Sequence, residues 1–308
     1  MSSSQHLQTR RRKTLHARAA IIREIRRFFT ENDYLEVETP LRIPAPAPES
    51  HIDAVPSGSW FLQTSPELCM KRLLASGFER IFQICRCWRA GERGSLHIPE
   101  FTMLEWYRSD CDYLDLMEEC EALLSDIAQA MKRGGTISFR EHSVSLAMPW
   151  ERITVREAFR KYSNIAMEEA LAKDMFDEVM VMDIEPKLGV SSPTFIFDYP
   201  AERGALARLR RDDPTVAERF ELYIGGLELA NAFTELTDPQ EQRQRFHEEE
   251  TYRRSQGKSP YPVPEKFLAD LSSMPPSAGI ALGVDRLVML FTDASSIDEV
   301  VAFTPEEL

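Results

Sequence analysis

The chain has 308 residues, of which 43% are hydrophobic and 28% charged, a composition typical of a soluble protein with a sizeable core. No uncharged apolar run approaches the roughly 18 residues of a membrane span, and the N-terminus lacks the apolar stretch of a secretory signal. The formal charge of −13 disfavours a large nucleic-acid interface. Five cysteines without zinc-site spacing predict core thiols in a reducing cytoplasm.

The first helical region is strongly basic. Eight basic residues lie between Arg10 and Arg27, against one acidic residue, Glu24. Such a run is either a solvated helix face or a docking patch for an acidic partner. Apolar residues at helical spacing begin near residue 15, so we expect a basic N-terminal tail over 1–14 and one domain over 15–308.

The predicted elements follow one another without repeats or a low-complexity linker. A helix over 15–30 is followed by a short strand that stops at Pro40, and the proline-rich segment 41–50 predicts a stiff extended loop. Ser65 and Pro66 combine a good N-cap with a good first helical residue, which predicts a helix ending near residue 77.

The next segment predicts an antiparallel strand pair. Residues 79–88 and 101–109 both alternate with period two, and twelve mainly polar residues, 89–100, connect them. Connections of this length inside a compact domain are usually functional.

The second half alternates helical and strand patterns. A helix is predicted from about residue 114 to 132, and Thr154 with Glu157 forms a capping box at the start of a helical insertion over about 150–190. Two further strands meet at a Gly-Gly turn within 216–233, and strand 277–283 leads directly into a helix. These elements predict an α+β domain built on an antiparallel sheet.

The polar connection 89–100 carries the first candidate site residues. Arg89 lies at the end of a strand, and Glu92 and His97 follow it in the loop. The planar guanidinium of such an arginine suits phosphate binding. The alternative is a solvated hairpin with incidental charges.

The returning strand carries a second set. Period two places Phe101, Met103, Glu105 and Tyr107 on one face. A carboxylate beside a phenol suits recognition of an ammonium group, and Phe101 can lie flat against a nucleobase. The alternative is a strand whose polar end emerges into water.

A third set lies in ELANAFTE, where Glu228, Asn231 and Glu235 interrupt an apolar strand. Buried carboxylates are costly unless they are paired or bind a metal, and Mg2+ favours carboxylates together with phosphates. Because seven residues separate the two glutamates, a regular strand places them on opposite faces. We therefore expect a bulge after Asn231 if both reach one site.

The last candidate segment is GIALGVDR. Gly279 and Gly283 within a strand indicate close approach by a ligand or a backbone. Arg286 occupies the first turn of the next helix, where a cation opposes the helix dipole, and stacking on a purine would explain this position.

Together these segments resemble the three signature motifs of class II aminoacyl-tRNA synthetases, in the order found in the lysyl branch. YLEVETPL resembles motif 1, RAGERGSLHIPEFTMLEWY motif 2 and GIALGVDRLVML motif 3, while QTSPE and ELANAFTELTD resemble lysine-type sequences. The resemblance covers about residues 15–303 and implies a catalytic domain with an antiparallel sheet flanked by helices, usually homodimeric through motif 1.

Bacterial lysyl-tRNA synthetases carry an N-terminal OB-fold domain for the anticodon, whereas this sequence begins at the motif 1 helix. It therefore resembles the shorter paralogues that activate lysine, preferably (R)-β-lysine, as an adenylate and transfer it to a lysine of elongation factor P. The resemblance implies ATP and Mg2+ as cofactors, elongation factor P as partner, a cytoplasmic location, and no role for tRNA.

The same resemblance implies roles for individual residues. Arg89 would hold the α-phosphate, Phe101 and Arg286 would enclose adenine, and Glu235 would complete the catalytic group. The full ATP set is Arg89, Glu92, His97, Phe101, Glu228, Leu229, Gly283 and Arg286. The lysine set is Ser65, Pro66, Glu67, Glu105, Tyr107, Asn231, Glu235 and Ala281, and the metal ligands are Glu228 and Glu235.

Three positions depart from the pattern of that family. Gly91 and Glu92 replace the usual Arg-x-Glu spacing after Arg89, so either the loop is rerouted or an adenine contact is lost. Ile98 stands where asparagine is common, and Ala281, in place of glycine, resembles the β-lysine-preferring paralogues. A compact lysine–tRNA ligase and an inactive synthetase-like regulatory subunit stay open as alternatives.

Overall fold

The computed structural model describes residues 3–49, 51–204 and 206–308, with side chains from residue 11 onward. The strands are β1 (Leu35–Glu36), β2 (Arg42–Ile43), β3 (Pro56–Ser57), β4 (Trp60–Leu62), β5 (Arg80–Trp88), β6 (Glu100–Ser109), β7 (Thr136–Phe139), β8 (His142–Ser145), β9 (Glu151–Thr154), β10 (Thr194–Pro200), β11 (Val216–Ile224), β12 (Leu227–Thr234) and β13 (Ser277–Gly283). The α-helices are α1 (Ser3–Glu31), α2 (Glu67–Ala75), α3 (Tyr113–Ala130), α4 (Val155–Tyr162), α5 (Met167–Ala172), α6 (Phe176–Val179), α7 (Pro239–Ser255), α8 (Glu265–Leu271) and α9 (Val284–Thr292).

Eight of the described strands form one sheet with the order β1-β5-β6-β13-β12-β11-β10-β9. Neighbouring strands are antiparallel throughout, except that β1 pairs with β5 and β9 pairs with β10 in parallel. A small sheet β2-β4-β3 and the hairpin β7-β8 lie outside it. The prediction of an α+β domain on an antiparallel sheet, including the pair β5–β6, is confirmed.

The main core lies between one face of this sheet and the helices α1, α3 and α9. In β6, Leu104 and Trp106 point into that core, and in β13 Ile280 and Leu282 do the same. Because side chains alternate along a strand, the residues between them face the opposite side. That opposite side carries Glu105 and Tyr107 of β6, together with several apolar side chains.

The helix boundaries differ from the sequence prediction mainly at the N-terminus. Helix α1 begins at Ser3, so residues 3–14 extend the helix predicted over 15–30 instead of forming a separate tail. The insertion is helical as predicted: α4 has its Thr154–Glu157 capping box, and a π-helical turn and a 3-10 turn complete it at Lys187. No helix among the described residues is long and apolar enough to cross a membrane.

Most of the basic run on α1 is neutralised within the chain. Arg11 binds Glu307, Arg26 binds Glu36, and Arg27 contacts several acidic residues. The side chain of Arg10 lies outside the described residues. These ion pairs favour a solvated, internally paired helix face over a docking patch for an acidic partner.

Arg18 differs from these surface residues because it enters the core. Its guanidinium donates to Asp285 Oδ1 and to Thr102 Oγ1, each at 2.6 Å. Asp285 also accepts the backbone N–H of Thr102 at 2.6 Å. This network fixes α1 to the start of β6 and to the first turn of α9, next to Phe101 and Arg286.

We expect Arg18→Met to destabilise the protein by about 3–5 kcal/mol, because it leaves the buried Asp285 carboxylate without its cation. The side chains of Arg18 and Asp285 are only 12% and 2% exposed. Arg26→Met on the same helix is the matched control, since its pair with Glu36 is 49% and 40% exposed and is worth about 0–1 kcal/mol. Urea unfolding measures both. Equal losses in the two variants would show that burial of the Arg18 pair has no special weight.

Candidate functional site

A cavity of about 1110 Å³ lies on the polar face of the sheet. Its walls come from β6, β11, β12 and β13, from the loop between β5 and β6, and from α7. The predicted site residues that line it are Ser65, Glu67, Arg89, Glu92, His97, Phe101, Glu105, Tyr107, Glu228, Leu229, Asn231, Ala281, Gly283 and Arg286. Pro66, which precedes the first residue of α2, and Glu235 do not line it.

Cross-strand pairing builds the floor of the cavity in rows. Glu105 lies opposite Ala281, Ala281 opposite Asn231, and Asn231 opposite Glu221. Directly opposed residues on one face of a sheet are close neighbours. Side chains that are distant in sequence therefore meet on this floor because of the strand register.

A bulge in β12 brings Glu228 and Glu235 to the same face. Leu222 pairs with Ala230, whereas Tyr223 pairs with Glu228, so Leu229 is the extra residue. Leu229 and Ala230 consequently both pack into the core. The predicted irregularity exists, but its predicted position after Asn231 is wrong, since it precedes Ala230.

Glu105 is fixed at the closed end of the cavity. Its carboxylate accepts hydrogen bonds from Ser65 Oγ at 2.6 Å and from the Tyr107 hydroxyl at 2.8 Å. The group is 1% exposed, and burial, reinforced by nearby Glu67, raises its pKa to about 8. At neutral pH this carboxyl group is therefore largely protonated, and a cationic ligand beside it would favour the ionised form.

Glu235 lies beneath this end of the cavity, in an ion pair with Lys71. The Lys71 ammonium also binds Glu67 Oε1 at 2.5 Å and lies 5.0 Å from the centre of the Phe233 ring. Burial raises the pKa of Glu235, and Lys71 opposes that change. Sequence reasoning missed Lys71, although its position four residues after Glu67 in α2 is a recognisable signal for an ion pair.

Gly279 allows these groups to approach one another. A Cβ at this position would lie 2.2 Å from the Tyr107 ring and 2.6 Å from Glu235 Oε1. Gly283 differs, because its nearest neighbour would be Arg286 at 3.7 Å, an ordinary contact. Only the first glycine is thus required by the protein's own packing.

We call the open end of the cavity its cationic end because Arg89 and Arg286 lie there, next to the carboxylates of Glu92 and Glu228. The Arg89 guanidinium lies 5.1 Å from the centre of the Phe101 ring, and its buried Nε has no hydrogen-bond acceptor among the described residues. Arg286 binds the Glu228 carboxylate at 3.1 Å and lies 2.7 Å from His97 Nε2. Burial and the Arg286 charge lower the pKa of His97, which keeps its imidazole neutral.

The loop departures have structural explanations. Gly91 adopts φ +78°, and this left-handed turn directs Glu92 into the cavity, with its carboxylate 3.9 Å from Arg89. A rerouted loop that carries Glu92 into the cavity therefore fits the structure better than the loss of the adenine contact. Ile98 is 4% exposed and packs into the core, so an apolar residue is suited to that position.

A second carboxylate accompanies Glu228. Glu221 is held by Arg219, whose Nη2 donates to Oε1 at 2.6 Å, and Arg219 Nε also donates to Asn231 Oδ1 at 3.0 Å. Burial raises the pKa of Glu221; Arg219 opposes this change and Glu228 reinforces it. Sequence reasoning missed both Arg219 and Glu221, because only the pairing of β11 with β12 shows that they lie next to the other site residues.

These carboxylates bear on the predicted metal site. No group of three or more His, Cys, Asp or Glu residues with metal-binding geometry occurs in the described part of the chain. Glu235 contacts Lys71, whereas Glu228 and Glu221 repel each other inside the cavity. A divalent cation beside Glu228 and Glu221 would relieve that repulsion, which favours Glu221 as a second ligand, and the predicted pairing of Glu228 with Glu235 stays a prediction.

The five cysteines are free, as predicted, and Cys85, Cys87, Cys111 and Cys120 are buried.

The fold and the cavity define a catalytic domain of the synthetase type. The model of the tRNA synthetases class II (D, K and N) family matches residues 3–307. The chain belongs to this family, which confirms the resemblance seen in its motifs.

The curated relatives that this chain resembles share one functional name. Proteins of Salmonella gallinarum, Salmonella paratyphi B and Salmonella enteritidis, each named elongation factor P–(R)-β-lysine ligase, are 41% identical over 303 residues. Each alignment covers 93% of this chain and 93% of the relative.

We expect Gly279→Ala to destabilise the protein by about 1–3 kcal/mol, since the added methyl group collides with Tyr107 and Glu235 in a packed region. Gly283→Ala in the same strand is the matched control and should cost less than about 1 kcal/mol. Urea unfolding of both variants tests the difference. A larger loss of unfolding free energy in Gly283→Ala than in Gly279→Ala would contradict the steric role assigned to Gly279.

Proposed function

We propose that this protein is an ATP-dependent ligase that activates lysine, with (R)-β-lysine preferred, and transfers it to the ε-amine of a lysine on elongation factor P. The observation that carries the proposal is the opposite polarity of the two ends of one cavity. Glu67, Glu105 and Glu235 surround the closed end, and Arg89 and Arg286 lie at the open end. The first set suits an amino acid with two ammonium groups, the second a polyphosphate, and the relatives carry the name of such a ligase.

ATP is assigned to the cationic end. Arg89, with its unpaired Nε, would hold the α-phosphate, and His97 would contact the outer phosphates. Adenine would lie between Phe101 and Arg286, so Arg89 would leave the Phe101 face and Arg286 would loosen its bond to Glu228. Glu92, the bulged Leu229 and Gly283 complete the nucleotide contacts.

Mg2+ is assigned to Glu228 together with Glu221, whose mutual repulsion it would relieve. The bound ion would neutralise phosphate charge. Glu235 is then left to the amino acid, consistent with its burial beneath the lysine end. Ser65, Pro66, Glu67, Tyr107 and Asn231 complete that end, with Ala281 between Glu105 and Asn231 in the row.

The chemistry needs positioning and charge stabilisation more than proton transfer. The amino-acid carboxylate attacks the α-phosphorus in line, pyrophosphate leaves, and Arg89 and Arg286 stabilise the negative charge on the phosphate. The acceptor lysine amine then attacks the activated carbonyl carbon, so that an amide bond forms, AMP leaves and the amine loses a proton. The open end of the cavity gives the acceptor side chain its route of entry.

The preference for (R)-β-lysine depends on Ala281. Its methyl group narrows the row between Glu105 and Asn231, and one methyl group discriminates by about 1–3 kcal/mol. Homodimerisation stays a prediction, supported by Leu35 and Leu41 within motif 1, which are 50% and 43% exposed. The cytoplasmic location also stays a prediction.

The direct test is the intact mass of elongation factor P after incubation with this protein, ATP and either lysine or (R)-β-lysine. We expect a gain of one lysyl group, faster with (R)-β-lysine, while bulk tRNA in parallel reactions stays uncharged. Arg89→Ala should abolish both the mass gain and pyrophosphate exchange, because the α-phosphate loses its cation.

The control for that variant is Arg86→Ala, three residues earlier in β5, since the Arg86 side chain is 47% exposed and makes a long ion pair of 3.8 Å with Glu100. It should retain full activity. Charged tRNA with unmodified factor would instead identify a compact lysine–tRNA ligase, and no product at all would identify an inactive regulatory relative. Either result refutes the proposed function.

A second test uses pH. Because the pKa of Glu105 is raised to about 8, this carboxyl group is largely protonated at neutral pH, and an ammonium ligand must displace the proton. Amino-acid affinity should therefore increase roughly twentyfold between about pH 6.5 and 8.5. Calorimetry in buffers of different ionisation enthalpy would report the released proton.

Glu105→Gln should remove both the pH dependence and most of the affinity. Glu100→Gln is the matched control, because this glutamate lies in the same strand with a 55% exposed side chain. A flat profile in the wild-type protein would contradict the assignment of Glu105 as the ammonium acceptor.

A further inference from the structure

Lys71 is a fully buried cation in the wall of the lysine end, and the reaction proposed above does not use it. Its side chain is 0% exposed, as is that of Glu235, and that of Glu67 is 12% exposed. A buried lysine is costly unless its charge is matched. Here it is matched twice, by carboxylates from α2 and from the end of β12.

The groups that face Lys71 define a charge balance. Glu67 and Glu235 bind it directly, Glu105 on β6 lies close enough to be affected by its charge, and Tyr107 lies beside Glu105. With all three carboxylates ionised and Lys71 protonated, two negative charges remain uncompensated. Lysine and β-lysine each carry two ammonium groups.

We propose that Lys71 is a positioning and specificity-determining residue. It holds Glu67 and Glu235 in place and neutralises one of the three carboxylates. The two remaining negative charges then match a ligand with two cationic groups. The inference rests on the proposed function, since it assumes that a diammonium amino acid binds at this end. It extends that function by predicting that an amino acid with one ammonium group is rejected. Such a ligand would leave one carboxylate buried without a partner.

Packing alone does not explain this arrangement. An unbranched apolar residue of similar size, such as methionine, would fill most of the space beside the Phe233 ring, whose centre lies 5.0 Å from the ammonium. Without the ammonium group, however, Glu67 and Glu235 would repel each other and take up protons. Removal of Lys71 should therefore change how binding depends on pH as well as its strength.

The test measures binding of lysine, (R)-β-lysine and norleucine, which lacks the second ammonium group, by calorimetry across pH. Lys71→Met should weaken binding of the diammonium ligands about tenfold or more at neutral pH and move the rise in affinity upward by about one pH unit. ATP affinity should stay at the wild-type value. Lys173→Met is the matched control, because Lys173 forms a 2.6 Å ion pair with Glu169, four residues earlier in sequence, whose side chains are 56% and 53% exposed.

A double variant keeps the proposal testable if Lys71→Met folds poorly. Lys71→Met/Glu235→Gln again leaves two uncompensated carboxylates, so it should bind lysine more tightly than Lys71→Met and still prefer lysine to norleucine. The proposal is overturned if Lys71→Met binds like the wild type at every pH, or loses lysine and norleucine by the same factor without recovery in the double variant. Failure of the wild-type protein to bind either diammonium amino acid would instead overturn the proposed function and this inference together. Normal binding without transfer to elongation factor P would overturn only the transfer step.

Discussion

The antiparallel register of β6, β13, β12 and β11 decides which side chains share the cavity. A slip of one residue in β13 would turn Ala281 into the core and Ile280 into the polar site. Leu104, Trp106 and Ile280 prevent such a slip, because they are buried under α1, α3 and α9. The apolar face of the sheet thus specifies the polar face, and the two cannot be altered independently.

The same register explains which parts could be predicted from sequence. Alternation along residues 101–107 is a local pattern, so it was sufficient to place Phe101, Glu105 and Tyr107 on one face. The position of the bulge was not predictable in this way, because it is visible only in the pairing of Leu222 with Ala230 and of Tyr223 with Glu228. Arg219 and Glu221 escaped notice for the same reason, since a polar residue in one strand has meaning only beside its neighbour.

Charge runs are a second case in which local sequence is insufficient. The basic segment on α1 is conspicuous because its residues are consecutive, whereas their acidic partners are scattered along the chain. Arg11 binds Glu307, 296 residues away, and Arg18 binds Asp285, 267 residues away. The resulting surface is much less basic than the sequence of the segment suggests. Arg18 does not belong to this surface at all, because it points into the protein and connects α1 to β6, the strand that carries Phe101.

Strand β12 and the residue that follows it connect the two ends of the cavity. Glu228 lies beside Arg286 at the cationic end, Glu235 lies beside Lys71 at the acidic end, and the bulge between them keeps both on one face. An amino acid held by its ammonium groups at the acidic end would extend its carboxylate along this strand toward a phosphate held at the other. The attack needs the correct distance and a stabilised negative charge, and a rigid strand with fixed carboxylates at both ends supplies the distance.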